Sequence, residues 1–267
     1  FFIIMKRKLE TSKKEIIDIL KAWIVISLAF AIILSDRNIF SSKFLFNLLL
    51  AALTVGVGFL LHELSHKVLA QKYGAIAEFR SFDSMLILAL AMSFLGFVFA
   101  APGAVMIAGG NINVKRYGKI SAAGPITNLV LAVIFLILNK LNISNAVSQI
   151  GNYGLFINSW LALFNMIPIW EFDGRKIFNW SKGVWFSIVI IAVVFLFVYS
   201  AFYLWKNLSI DYIRNLQWPF WNPYSFSGTP LLGSFQVSHF FPFNLLLLFP
   251  NNLGWGFRKN ELLRYED

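Results

Sequence analysis

Cysteine is absent from all 267 residues, which excludes disulfides and thiolate metal sites and leaves the redox compartment unspecified. Charge is scarce too. Only 13% of residues are Asp, Glu, Lys or Arg, against 58% hydrophobic ones and a mean hydropathy of +0.68. So little charge cannot cover a water-soluble surface around so much apolar material, and the chain reads as a multi-spanning membrane protein. Acidic residues are the rarer sign, 13 against 23 Lys and Arg, for a net charge of +10. The surplus is scattered between apolar runs instead of forming one basic face. Nucleic acid is therefore not expected as a partner, whereas a lipid bilayer with anionic headgroups is. Internal repeats and low-complexity tracts are missing as well. No signal-peptide cleavage site follows the first apolar run, so that run is expected to remain as a span.

Histidine is also rare, and two of the three fall in one stretch, His62-Glu63-Leu64-Ser65-His66. On a helix, residues four apart stand on the same face, so both imidazoles can hold one ion. Glu63 lies beside them, placed to act as general base. H-E-x-x-H is the zinc hydrolase signature, because neutral imidazole suits Zn²⁺ and the ion acidifies water. Two histidines on a helix face can also be ordinary core residues. The setting argues otherwise: residues 48–61 carry no charge, and ionisable groups at membrane depth are costly unless paired or metal-bound.

Flanking charge orients the apolar runs. Lys6, Arg7, Lys8, Lys13 and Lys14 form a basic lead, expected in the cytoplasm, ahead of a first span over 22–34. Residues 44–66 return as a second span and bring the histidines back towards the cytoplasmic face. The segment 84–108 is apolar and long enough to cross about 30 Å of hydrocarbon. Yet both of its flanks are basic, and Ala101-Pro102-Gly103 interrupts it. It is expected to be re-entrant, with its irregular backbone covered by protein or lining a cavity; an ordinary span with unusual flanks is the alternative. The next span, 120–138, contains Gly124-Pro125-Ile126-Thr127-Asn128, in which glycine permits close helix approach and Asn128 needs a partner across an interface. Residues 153–167 descend again and end in a turn set by Pro168 and Gly174. Charge counting puts this turn on the side of His62 and His66, so Asp173 can be a third ligand. A last strong span covers 184–205, and the aromatic-rich tail that follows is expected to lie at an extracytoplasmic interface.

Three motifs on three spans resemble the site-2 proteases, a family of intramembrane zinc metalloproteases. They are His62-Glu63-Leu64-Ser65-His66, Gly124-Pro125-x-x-Asn128 and Asn165-x-x-Pro168-x-x-x-x-Asp173-Gly174. The resemblance covers about residues 44 to 182, in the order and spacing of the family. It implies that His62, His66 and Asp173 bind Zn²⁺, that Glu63 is the general base, and that Asn128 and Asn165 help to hold substrate. No PDZ domain is recognisable, so gating by such a module is not implied. The tail fits nothing in that family; Trp221-Asn222-Pro223-Tyr224 and Gly228-Thr229-Pro230 look like an external loop of glycosyltransferase-like membrane proteins.

The expectation is an all-α polytopic membrane protein with about five to six transmembrane helices and a re-entrant membrane-embedded segment. Residues 1–205 would form a membrane-embedded zinc metalloprotease domain with its catalytic core at 44–182, and 206–267 a tail of unknown role. Its function would be hydrolysis of a peptide bond in or near the transmembrane segment of a membrane-anchored protein substrate, at the cytoplasmic face of the plasma membrane. A non-catalytic membrane scaffold or metal carrier with the same fold is the alternative. Loss of Glu63 or of a ligand would be its sign, and none is lost.

Overall fold

The computed structural model describes residues 10–98, 102–110 and 112–215, with side chains as far as residue 201. The Ser12 hydroxyl accepts from the backbone N–H of Glu15 at 3.1 Å, and this cap opens α1 (Lys13–Leu34). Helix α2 (Phe44–Ala51) passes through a π-helical turn (Ala52–Gly56) straight into α3 (Val57–Lys72), so one 29-residue rod carries both histidines. Such turns interrupt the regular carbonyl ladder. Here the Ala52 carbonyl accepts from the indole N–H of Trp23 on α1 at 3.1 Å.

Strand β1 (Ile76–Ser81) leads into α4 (Asp83–Ser93), and β2 (Gly103–Ala108) returns antiparallel to β1, pairing Ile76 with Ala108 and Ser81 with Gly103. Helices α5 (Val114–Lys140) and α6 (Asn145–Asn165) begin on the caps Asn113 and Ser144. A short α7 (Asp173–Trp180) and a long α8 (Lys182–Asn215) complete the described chain.

Among the described residues, four helices are long and apolar enough to cross a membrane: Lys13–Leu34, Phe44–Lys72, Val114–Lys140 and Lys182–Ala201. The chain is an integral membrane protein, mostly helical as expected. The further span expected over 153–167 is the second half of α6. That helix has 21 residues but is more polar, and it turns its polarity inward, with Asn158 and Ser159 fully buried. Over 84–108 there is no single span. Helix α4 has 11 residues, well short of the roughly 20 that a crossing needs. The return of β2 beside β1 brings both basic flanks to the same end of a hairpin. This small sheet is an addition to an otherwise helical expectation. The basic lead at Lys6, Arg7 and Lys8, and the tail beyond residue 215, lie outside the described residues.

Apolar clusters join the elements on both sides of the chain's middle in sequence. One joins Ala122 and Leu129 of α5 to Ala162 and Met166 of α6, Ile177 of α7 and Ile188 and Ala192 of α8. The other joins Ala22 of α1, Phe79 of β1 and Leu86 of α4. Helix α8 is the outer edge: only 11% of its apolar window is buried, which leaves residues such as Ile190 and Phe197 to face lipid.

Candidate metal centre

Helix α3 presents His62 and His66 one turn apart on its buried face, their ring centroids 4.7 Å from one another and their planes nearly perpendicular. Asp173, the first residue of α7, projects between them. Its Oδ2 lies 3.2 Å from His62 Nε2 and 3.1 Å from His66 Nε2. One ligand atom from each of the three falls within 4.8 Å of the others. Two donors each about 2.0 Å from a tetrahedral zinc ion stand about 3.3 Å apart. The observed separations of 3.2 and 3.1 Å are compatible with that spacing, and the three residues lie close enough together to bind a metal ion.

The far ring nitrogens are committed elsewhere. His66 Nδ1 donates to the carbonyl of Ile120 at 2.8 Å, and His62 Nδ1 donates to Asn128 Oδ1 at 2.6 Å. Such partners fix ring orientation and leave both Nε2 lone pairs for a metal. Space for the ion comes from a missing side chain: a Cβ on Gly124 of α5 would sit 2.5 Å from both Nε2 atoms. Two neutral imidazoles and one carboxylate suit Zn²⁺, and three protein ligands leave a coordination position open, as catalytic sites do.

The turn that delivers Asp173 is equally specific. Helix α6 ends at Asn165, the Trp185 indole of α8 donates to the Met166 carbonyl at 2.8 Å, and the chain doubles back through Pro168. A Cβ on Gly174 would run into the Met166 carbonyl, so only glycine lets α7 start this close to the end of α6. Asp173 is buried, with its carboxylate facing both imidazoles. Glu171, the other acid of the turn, is exposed and stands outside the ligand group.

Glu63 is half-buried beside the ligands, and its Oε2 accepts from the Val105 backbone N–H of β2 at 3.2 Å. Val105 pairs with Phe79 of β1, whose own N–H donates to Oε1 of Glu15 on α1 at 3.0 Å. The sheet is thus strung between two carboxylates. Glu15 is fully buried and completes its contacts with Lys67 Nζ at 2.7 Å, the residue next to His66.

Asn128 is fully buried, and its amide nitrogen donates to the Gly58 carbonyl and to Asn158 Oδ1. Asn165 sits half-buried at the end of α6, its amide donating back to the Leu161 carbonyl at 2.9 Å. Sequence reasoning missed Asn158, Gly58 and the Glu15–Lys67 pair. A signal existed for the first two. Asn158 lies seven residues before Asn165, on the same stripe of α6, and Gly58 lies four before His62 on the stripe of the histidines.

No family model matches the chain, and no solved structure matches it. A curated protein of Methanocaldococcus jannaschii, named "Putative zinc metalloprotease MJ0611", is 39% identical over 194 residues, which cover 72% of this chain and 97% of that protein. Likeness of that extent reaches far beyond one short motif, and it accords with three residues close enough together to bind a metal ion. The chain belongs to the zinc metalloprotease family of that archaeal protein.

Proposed function

We propose that the chain is an intramembrane protease of the site-2 type. It hydrolyses a peptide bond in or near the transmembrane segment of a membrane-anchored protein, close to the cytoplasmic face of the plasma membrane. The observation that carries this reading is that the ligand pair His62 and His66 belongs to a helix that is itself long and apolar enough to span a bilayer. A protease acting on soluble chains has no need to keep its metal there. The basic surplus is read as contact with anionic lipid, not with nucleic acid.

His62, His66 and Asp173 would hold Zn²⁺, which when bound would supply a Lewis acid for the scissile carbonyl and lower the pKa of water. Glu63 takes the proton of the attacking water and delivers it to the leaving amine. The Val105 N–H holds one carboxylate oxygen and leaves Oε1 for that transfer. A membrane helix has its carbonyls hydrogen-bonded internally, so the substrate must unwind first. Strand β2 offers it a place. One edge of β2 pairs with β1, and the other carries the outward backbone groups of Gly103 and Ile107 and the carbonyl of Val105, whose N–H is held by Glu63. A substrate strand added there lies along the catalytic carboxylate. Asn165, at the end of α6, is assigned to holding the substrate backbone, while Asn128 reaches the reaction only through His62.

The test is cleavage of a membrane-anchored reporter by the full chain in liposomes, with the product masses locating the cut. Cleavage at or within the reporter's membrane segment, abolished by a chelator and restored by zinc, is expected. A cut confined to distant soluble loops would refute the intramembrane assignment. Stoichiometric zinc without cleavage of any reporter would favour the non-catalytic scaffold.

A further inference from the structure

The hydrogen bonds behind His62 can run in only one direction. Backbone carbonyls accept and never donate, so the network can be read from its fixed ends. On α6, Asn158 Nδ2 donates to the Gly154 carbonyl at 2.9 Å. Its Oδ1 is therefore the atom turned towards α5, where Asn128 Nδ2 donates to it at 3.1 Å. The same Nδ2 donates to the Gly58 carbonyl on α3 at 3.2 Å. Both hydrogens of the Asn128 amide are thus in use, and its Oδ1 faces His62 and accepts from Nδ1. Turning the Asn128 amide over would set oxygen against oxygen at Gly58 and at Asn158. Both asparagines are fully buried, so bulk water cannot stand in for a lost partner. Gly58 belongs to the device as well, because a Cβ there would run into Asn158 Oδ1.

We propose that Asn158 is a positioning residue of the metal centre: together with the Gly58 carbonyl it orients Asn128 so that the hydrogen of His62 sits on Nδ1, which keeps Nε2 open as a metal ligand. Asn158 touches neither metal nor substrate. The inference rests on the reading of His62, His66 and Asp173 as the ligand set. His66 answers to a separate control, the Ile120 carbonyl, and so serves as an internal reference.

The experiment uses the full chain in detergent, stripped of metal and titrated with Zn²⁺ against a competing chelator. It is paired with spectra of the zinc-loaded chain labelled with ¹⁵N-histidine, and only three histidines need to be told apart. Asn158→Leu removes both polar atoms and keeps the branching of the heavy atoms. Its zinc affinity should fall about 10-fold or more, the range for partners behind a ligand. Its His62 Nδ1–H signal should shift or vanish while that of His66 stays in place. Asn158→Asp is the second variant, informative even if the leucine variant fails to fold. A neutral carboxyl presents C=O to Asn128 and O–H to the Gly154 carbonyl, so zinc affinity should remain close to that of the unaltered chain. Wild-type affinity with an unmoved His62 signal in Asn158→Leu would overturn the proposal. So would joint movement of the His62 and His66 signals, or a folded Asn158→Asp chain that loses zinc. If the unaltered chain bound no zinc, the ligand set itself would be wrong and the relay would fall with it.

Discussion

At the scale of single residues, the metal centre depends on an absent side chain as much as on three present ones. Gly124 is the floor on which both Nε2 atoms rest. Gly124→Ala sets a methyl 2.5 Å from both Nε2 atoms, so the two buried imidazoles must shift and the small helix gain of about 0.5–1 kcal/mol is offset by that clash. The variant should still fold, with a melting temperature at or below that of the metal-free parent, yet fail to retain zinc under conditions that saturate the parent. Thermal unfolding and metal analysis of the same sample check this, and full zinc occupancy in Gly124→Ala would contradict it. His62, Glu63 and His66 were legible in the sequence because their chemistry is local, three residues on one turn of one helix. Asp173 was legible through the turn that Pro168 and Gly174 announce. Asn158 and the role of Gly124 were not, since each is defined by what another helix brings to it.

At the scale of elements, α1 is tied to the catalytic helix and to the sheet by one buried pair. Glu15 accepts from Lys67 of α3 and from the Phe79 N–H of β1, and both charged residues are buried. Breaking such a pair from one side strands a charge and costs about 3–5 kcal/mol, while replacing both partners by neutral groups recovers much of the loss. Glu15→Gln and Lys67→Met should each lower the unfolding temperature in micelles markedly, and the double variant should lie nearer the parent than either single. Additive losses would show that the pair does not act as a unit. The hairpin around α4 carries a second prediction. In this cysteine-free chain, Lys72→Cys and Lys115→Cys should label from the same side of the membrane, because β1 and β2 return the chain to its starting end. Opposite-side labelling would require a full crossing over 84–108. The turn-back was legible from its basic flanks, but the strands were not. Residues 103–108, Gly-Ala-Val-Met-Ile-Ala, form a short apolar run, and periodicity alone cannot tell such a run from a piece of buried helix. The extent of α6 was hidden for another reason. Its first half, from Asn145, carries Asn145, Ser148, Gln149 and Asn152 and is too polar to read as a span, and the structure leaves Asn145 and Gln149 exposed.

At the scale of the whole molecule, the arrangement is a membrane-embedded helical frame with one polar interior. Helices α3, α5 and α7 supply the ligands, their partners and the room between them. The sheet and α1 hold the Glu63 carboxylate against that centre from the other side. Exposed apolar surface, spread over α1, α3, α5 and α8, accounts for the composition that first marked the chain as a membrane protein. What separates a protease from a metal-binding scaffold in this frame is Glu63, which lies outside the ligand group and accepts from the Val105 N–H of β2 instead. The decisive measurement is zinc content and reporter cleavage determined together on Glu63→Gln in liposomes. The amide keeps the shape and removes the base, so zinc should stay stoichiometric while cleavage falls by at least about 10²–10⁴-fold. Cleavage at the parent rate, or loss of zinc together with activity, would contradict the assignment of Glu63 as general base.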